Sequence, residues 1–330
     1  MKAGYALLGV IILVLTAWLG AGVLGWHTLF GIVFPYLAVF AFLAGLVYRV
    51  LRWGSSPVPF HIPAVGGQQK SLPWIRDSRV ESPSGSAGVL ARLALELLTF
   101  RSLLRNERVE LKRGEKLVYG GRKYLWLGAL AFHWALFVIL FRHLRLVTEP
   151  VPSPVLFVQG LDGFFRLALP TLFVTDVVIL GALGFIVLRR VFQPQVRYIS
   201  LVSDYFAVLL LLAVAVSGIL MRLYFRVDAA AVKELAISLI TFRPAVPEGV
   251  GFPFYIHLFL AGALVACFPF TKLVHGAGIL FSPTRNLKND SRMKRHANPW
   301  DHPVKTHTYT EWEDEFREPM KKAGLPVEKE

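Results

Sequence analysis

Six apolar stretches dominate the chain, at residues 4–25, 28–51, 124–147, 167–189, 199–223 and 253–279. A helix crosses the hydrocarbon core of a bilayer in about 20 residues, so each stretch is long enough to span. The chain has 330 residues, 55% of them hydrophobic, and still carries a net charge of +14. Those properties conflict in a soluble domain and fit a membrane protein with basic loops. Nucleic-acid binding, the usual rival for so basic a chain, is set aside because the charge lies between apolar runs, not on an amphipathic surface. The first stretch follows Lys2 as a signal peptide would, but it is too long, and the second begins almost at once. A retained helical hairpin is therefore predicted.

Loop charge sets the expected orientation. Residues 52–123 carry 13 Lys and Arg, including Arg101, Arg105, Arg108, Lys112 and Arg113. The turn at 189–198 adds Arg189, Arg190 and Arg197, and the segment beyond 280 is again rich in Lys and Arg. The alternate connections hold Glu149, Asp162, Asp228 and Glu248. Both termini of this multi-pass membrane chain are thus expected in the cytoplasm. The expected divisions are a transmembrane hairpin (1–51), a basic cytoplasmic loop (52–123), a four-helix membrane region (124–281) and a cytoplasmic tail (282–330). Within the loop, Val89, Leu93, Leu97, Phe100 and Leu104 recur at helical spacing with Arg92, Arg101 and Arg105 among them. That pattern predicts an amphipathic helix on the membrane face, serving as an anchor or a partner contact. The tail lacks the hydrophobicity for a core of its own, so it is either disordered or a strap ordered on a partner.

Four histidines lie inside the apolar runs: His133 and His143 in the third, His257 and His275 in the sixth. An imidazole in hydrocarbon needs a partner or a ligand. Two spans with two histidines each can give two irons an axial nitrogen from either side. The single cysteine, Cys267, excludes an internal disulfide, covalent haem attachment and an iron–sulfur cluster held by this chain alone. From the orientation above, the third span runs outward and the sixth inward. Antiparallel packing then sets His133 against His275 near the cytoplasm and His143 against His257 near the outer face. On ideal helices the two separations are about 15 Å and about 27 Å, a mismatch of about 12 Å. Tilt, or Pro269 within the sixth span, has to absorb it. The alternative is a set of iron-free histidines, interfacial or acting as proton relays in a transporter.

This spacing resembles that of the NarI family, the dihaem cytochrome b subunits of respiratory nitrate reductase, over roughly the last five spans. The first helix is an addition. The segment "SPTRNLKNDSRMKRHANPWDHPVKTHTYTEWEDEFREPM" at residues 282–320 is similar to the tail of the DsrM-type cytochromes, NarI-like members found in DsrMKJOP complexes of sulfur-metabolising prokaryotes. The resemblance implies an all-α integral membrane fold of six helices and two haems b, ligated by His133, His143, His257 and His275. It also implies menaquinone as the redox substrate and a DsrK-like iron–sulfur partner on the cytoplasmic side serving reduction of the DsrC trisulfide. The DsrJ, DsrO and DsrP subunits would complete the assembly. A nitrate or heterodisulfide reductase partner is the near alternative.

One departure is that Arg142 precedes His143, where the nitrate reductase subunit has glycine, so that family's quinone contacts do not carry over. Arg142, Arg145 and Lys272 are candidates for haem propionates, because cations suit carboxylates, or they snorkel at the membrane boundary. Asp176 and Asp204 stand within expected spans, where an acid is rare and usually functional. His27 and His61 are left out of the site, and His296, His302 and His307 lack the spacing of a zinc site.

Overall fold

The computed structural model describes the chain except residues 58–66, 113–115, 164–170, 283–284, 291, 293–304 and 330. His61, His296, His302, the start of the expected fourth span and part of the tail fall outside the described residues. Helix α1 (Lys2–Ala17) runs on through a π-helical turn, Trp18–Val23, and a second π-helical turn, Leu29–Val33, leads into α2 (Phe34–Gly54). This is the expected hairpin. Its outer surfaces expose Leu8, Ile12, Leu37, Phe40 and Leu43, the apolar skin a helix shows to lipid and not to water.

The basic segment folds more than its sequence pattern indicated. The amphipathic helix is present as α3 (Ser86–Thr99) but stops where Phe100 takes a left-handed conformation (φ 48°), and a single turn, α4 (Arg101–Leu104), follows. Its buried face is Val89, Arg92 and Glu96, so charge, not only the apolar stripe, is turned inward. Glu81 holds Arg101 at 2.9 Å and also pairs with Arg105. Arg92 donates to the carbonyl of Arg285, and the Asn289 amide donates to the Pro83 carbonyl at 2.7 Å. Loop and early tail therefore form one layer. An antiparallel hairpin, β1 (Glu107–Lys112) and β2 (Lys116–Gly121), was not anticipated; the pattern reading assigned this stretch to loop.

The remaining elements are α5 (Lys123–His143), α6 (Ser153–Asp162), α7 (Val174–Phe192), α8 (Pro194–Ile199), α9 (Val202–Leu223), α10 (Ala229–Ile240), α11 (Phe252–Cys267), α12 (His275–Leu280) and α13 (Tyr309–Lys322). Helix α9 is central, packing on α1, α7 and α11; α5 covers α7, and α2 covers α11. Five helices among the described residues are long and apolar enough to cross a membrane: Lys2–Val23, Leu29–Gly54, Lys123–Leu146, Val202–Leu223 and Phe252–Phe270. The fold is thus a mostly helical, multi-pass membrane bundle. The expected fourth span corresponds to α7, which has 19 residues and carries Asp176, Arg189 and Arg190 near its ends. Lys2, Arg190 and Lys272 gather at one end of the bundle: Lys2 donates to the Ser200 carbonyl and Arg190 to the Ser200 hydroxyl, each at 3.0 Å, and Lys272 pairs with Asp204 at 2.9 Å. This is the basic end.

The expected sixth span is not one helix. It breaks after Cys267 into a 3-10 turn at Phe268–Phe270, an extended Thr271, a second 3-10 turn at Lys272–Val274, and then α12. Proline ends a helix because its ring clashes with the preceding turn and it lacks an N–H, and Pro269 sits at the break.

The tail is not wholly irregular. Thr308 and Glu311 cap α13 reciprocally, which satisfies amides that the first turn would leave unpaired. Glu313 accepts the Glu328 and Lys329 amides at 2.9 and 3.0 Å, folding the end of the chain back on the helix. The Lys329 and Glu328 amides, with Arg317, hold the Glu313 carboxyl below its ordinary range. A carboxylate with a lowered folded pKa stabilises above its unfolded value of about 4.3, and that contribution is lost as pH falls through the folded pKa. Hydrogen exchange of the 309–329 segment, compared with Glu313→Gln at matched pH, should show protection in the parent near neutrality. The two chains should become equal well below about pH 4.

Candidate functional site: four histidines in the bundle

His133, on the middle of α5, meets His275, the first residue of α12: their ring centres are 5.9 Å apart with planes at 88°. The His133 Nδ1 donates to the Ala129 carbonyl at 2.8 Å and the His275 Nδ1 to the Lys272 carbonyl at 2.8 Å. A carbonyl can only accept, so each Nδ1 carries the proton and each Nε2 offers a lone pair. Phe132 and Phe100 flank His133 with ring centres at 4.8 Å. The left-handed kink at Phe100 is what brings that ring in, a contribution of the basic loop that sequence periodicity did not reveal.

The second pair lies toward the opposite end. His143, the last residue of α5, donates from Nδ1 to the Ile139 carbonyl at 2.7 Å. His257 on α11 has Nδ1 at 3.0 Å from the Ser217 hydroxyl of α9, which itself donates to the Val214 carbonyl at 3.0 Å. With its hydrogen committed, that hydroxyl accepts from His257, and again Nε2 remains available. His143 and His257 are close enough to interact electrostatically. Gly218 makes room for the His257 ring: a Cβ there would lie 3.0 Å from its Cε1. Ser217 and Gly218 are site residues that the sequence reading missed, and nothing in their own sequence surroundings marks them.

The break in the sixth span carries His275 to His133. Arg49 of α2 donates from Nε to the Pro269 carbonyl at 2.8 Å, and the Thr271 hydroxyl donates to the Phe268 carbonyl at 3.2 Å. Gly45 lets Phe270 and Pro269 sit against α2, since a Cβ would meet them at 2.7–3.0 Å. Backbone groups freed at membrane depth must be satisfied by protein, and α2 does so here.

The candidate cations and acids all have protein partners. Arg142 pairs with Asp162, which also accepts the Thr175 amide at 2.9 Å and hydroxyl at 2.7 Å. Arg222 pairs with Asp176, and the Phe173 ring lies between the two guanidiniums, 3.4 Å from Arg142 and 4.4 Å from Arg222. Arg145 donates to Gln159 at 2.8 Å. Asp204 accepts the Leu201 amide at 3.0 Å, pairs with Lys272 and has Arg190 at 3.7 Å. Asp176 and Asp204 hold equivalent positions, each capping its helix start while bound to a cation from a neighbouring helix. His27 stands apart, stacked on Tyr255 at 5.0 Å, and His307 lies 4.0 Å from Glu315.

An imidazole nitrogen binds a metal at about 2 Å and the ring centre lies about 1 Å behind it, so two axial rings on one iron have centres about 6 Å apart. The His133–His275 pair fits that separation. A membrane bundle that sets His133 beside His275, with His143 and His257 toward its other end, has side chains of the kind that ligate a b-type haem; His143 and His275 are exposed, His133 and His257 part-buried. Residues 115–296 match the nitrate reductase gamma subunit family, and the chain belongs to that family. The match takes in both histidine pairs and leaves out the N-terminal hairpin, so it is shorter than the five spans expected. The chain is similar to the "Hdr-like menaquinol oxidoreductase cytochrome b-like subunit" of Archaeoglobus fulgidus, 42% identical over 280 residues, which is 83% of each chain. Its counterpart in Archaeoglobus profundus is 40% identical over 274 residues, 81% of each chain.

Arg49→Met should leave the Pro269 carbonyl unpaired. Losing a buried acceptor's partner costs about 1–3 kcal/mol, so exchange of the 268–275 amides should speed up about fivefold or more. Unchanged exchange would mean that α2 does not hold the break.

Proposed function

We propose that this chain is the dihaem cytochrome b subunit of a menaquinol-linked oxidoreductase. One haem b would be held by His133 and His275, the other by His143 and His257. The observation that carries the reading is the common state of the four rings: every Nδ1 is committed to a carbonyl or hydroxyl, leaving every Nε2 as a ligand. The names of the two archaeal relatives support menaquinol as the redox substrate and a heterodisulfide reductase-like assembly as the setting. When bound, the haems would conduct electrons across the bilayer between quinol and an iron–sulfur partner.

The residues supply orientation. Hydrogen bonds to the far ring nitrogen fix tautomer and ring direction and raise ligand basicity, as they do for other metal-bound histidines. Helix α7 would complete six spans, with Asp176 and the pair Arg189 and Arg190 marking its two membrane boundaries. The basic end would face the cytoplasm, in keeping with loop charge, so His133 and His275 form the inner site beneath the layer of loop and early tail. That layer is the place for the iron–sulfur partner. The tail's likeness to DsrM-type chains favours a DsrK-like protein acting toward DsrC trisulfide, with DsrJ, DsrO and DsrP as further subunits. Arg142, Arg145 and Lys272 would reach propionates only by sharing or exchanging Asp162, Gln159 and Asp204.

Haem quantification and reduced-minus-oxidised spectra of the purified chain test the assignment. The parent should carry two haems per chain. His133→Ala and His275→Ala should each lose the same spectral component, and His143→Ala and His257→Ala the other. A parent without haem absorbance, or partners in a pair that lose different haems, would overturn it.

A further inference from the structure

Helix α3 ends on a strained residue. Phe100 caps it with φ 48° and ψ 46°, a left-handed conformation that glycine adopts freely and a bulky aromatic residue rarely does. Such a residue persists only where its surroundings over-determine it, and here they do. The last carbonyls of a helix have no partner within it. Trp134 of α5 donates its indole N–H to the Leu98 carbonyl at 3.0 Å, and Trp126 donates to the Thr99 carbonyl at 2.7 Å. Two tryptophans about 12 Å apart along α5 thus grip one helix end. Just beyond it, Glu96 accepts the Ser102 hydroxyl and, at 3.2 Å, the Ser102 amide. Arg285 of the early tail lies 3.4 Å from Glu96 and donates to the Ser102 hydroxyl at 3.2 Å. What this clamp presents is the Phe100 ring, 4.8 Å from His133 and inclined to it at 60°.

We propose that Phe100 is a positioning residue for the inner site: its ring shields the His133 imidazole from water and so raises the potential of the haem held there. This role presupposes that His133 ligates haem, as proposed above. Glycine would end the helix without strain, so the phenyl ring is what the strained backbone delivers. Ferric haem carries one positive charge more than ferrous haem, and an apolar cover over its ligand disfavours the cation. Burial and solvent access are among the means by which protein tunes haem iron. Glu96, Ser102 and Arg285 belong to the layer of loop and early tail, so that layer holds the shield in place.

Redox titration of the full haem-loaded chain reads the effect, the inner component being the one that His133→Ala loses. Phe100→Gly removes the ring and relieves the strain. It should raise the ratio of oxidised to reduced inner haem at the parent's midpoint about tenfold, a fall of about 59 mV for one electron, and leave the outer haem unchanged. A merely structural role would be filled as well by glycine, with no shift. Phe100→Leu keeps apolar bulk and should keep most of the parent's potential. Trp134→Phe removes one indole N–H; it should shift the inner potential the same way by less and speed exchange of the 98–104 amides. If the glycine variant does not fold, this variant reads the same shift. An inner potential that ignores both changes, or two haems that shift alike, would overturn the role of Phe100 and leave the haem assignment standing. A parent without haem would overturn both.

Discussion

A histidine in hydrocarbon needs protein for one nitrogen before it can offer the other. Unpaired polar groups are costly there, and the bundle answers each of the four rings at Nδ1. Three of the answers are local, from a carbonyl three or four residues earlier on the same chain segment. The fourth is tertiary: Ser217 on α9 reaches His257 on α11, and Gly218 beside it leaves space for the ring. Helix α9, at the centre of the bundle, supplies that partner. It supports the one histidine whose Nδ1 partner lies on another helix, and it ties α1, α7 and α11 together around that point.

The second constraint is length. Ten residues on one span cannot face eighteen on another if both are straight. The sixth span ends as a helix at Cys267 and restarts at His275, with two 3-10 turns and an extended Thr271 between. A break in the membrane is tolerable only if its backbone groups find partners. Arg49 and Gly45 of the N-terminal hairpin and Asp204 of α9, through Lys272, gather at this break. The hairpin lies outside the family match, and yet it holds the segment that delivers His275.

Charge inside the bundle is arranged as pairs at the helix ends. Asp176 and Asp204 looked like intramembrane acids because each falls within an apolar stretch. The structure sets both in the first turn of a helix, where a carboxylate caps amides and meets the positive end of the helix dipole. Their cations come from other helices, Arg222 for one, Lys272 and Arg190 for the other. The two carboxylates are buried, so removing a cation strands its partner, and the pairs fix register between helices as well as neutralising charge.

Much of the architecture was legible in the sequence. The hairpin, the long apolar helices and the helical period in the basic loop follow from hydrophobic length and periodicity, which are properties of consecutive residues. The closeness of the His133 and His275 rings is in keeping with antiparallel spans, which leave few ways to match two positions with two. What the sequence could not carry is whatever depends on residues distant in the chain. The break at Pro269 was visible as a proline, but its stability depends on Arg49, more than two hundred positions away. Ser217, Gly218 and Phe100 have no local signature, since their roles exist only once another helix is beside them. The hairpin at 107–121 escaped because it is short and polar, with too few alternating residues to register as strand. Apolar length decided that this chain crosses a membrane several times, with four histidines inside its apolar runs. Contacts across the bundle decided how each ring is aimed, because a hydrogen bond between helices is a property of their packing, not of either helix alone.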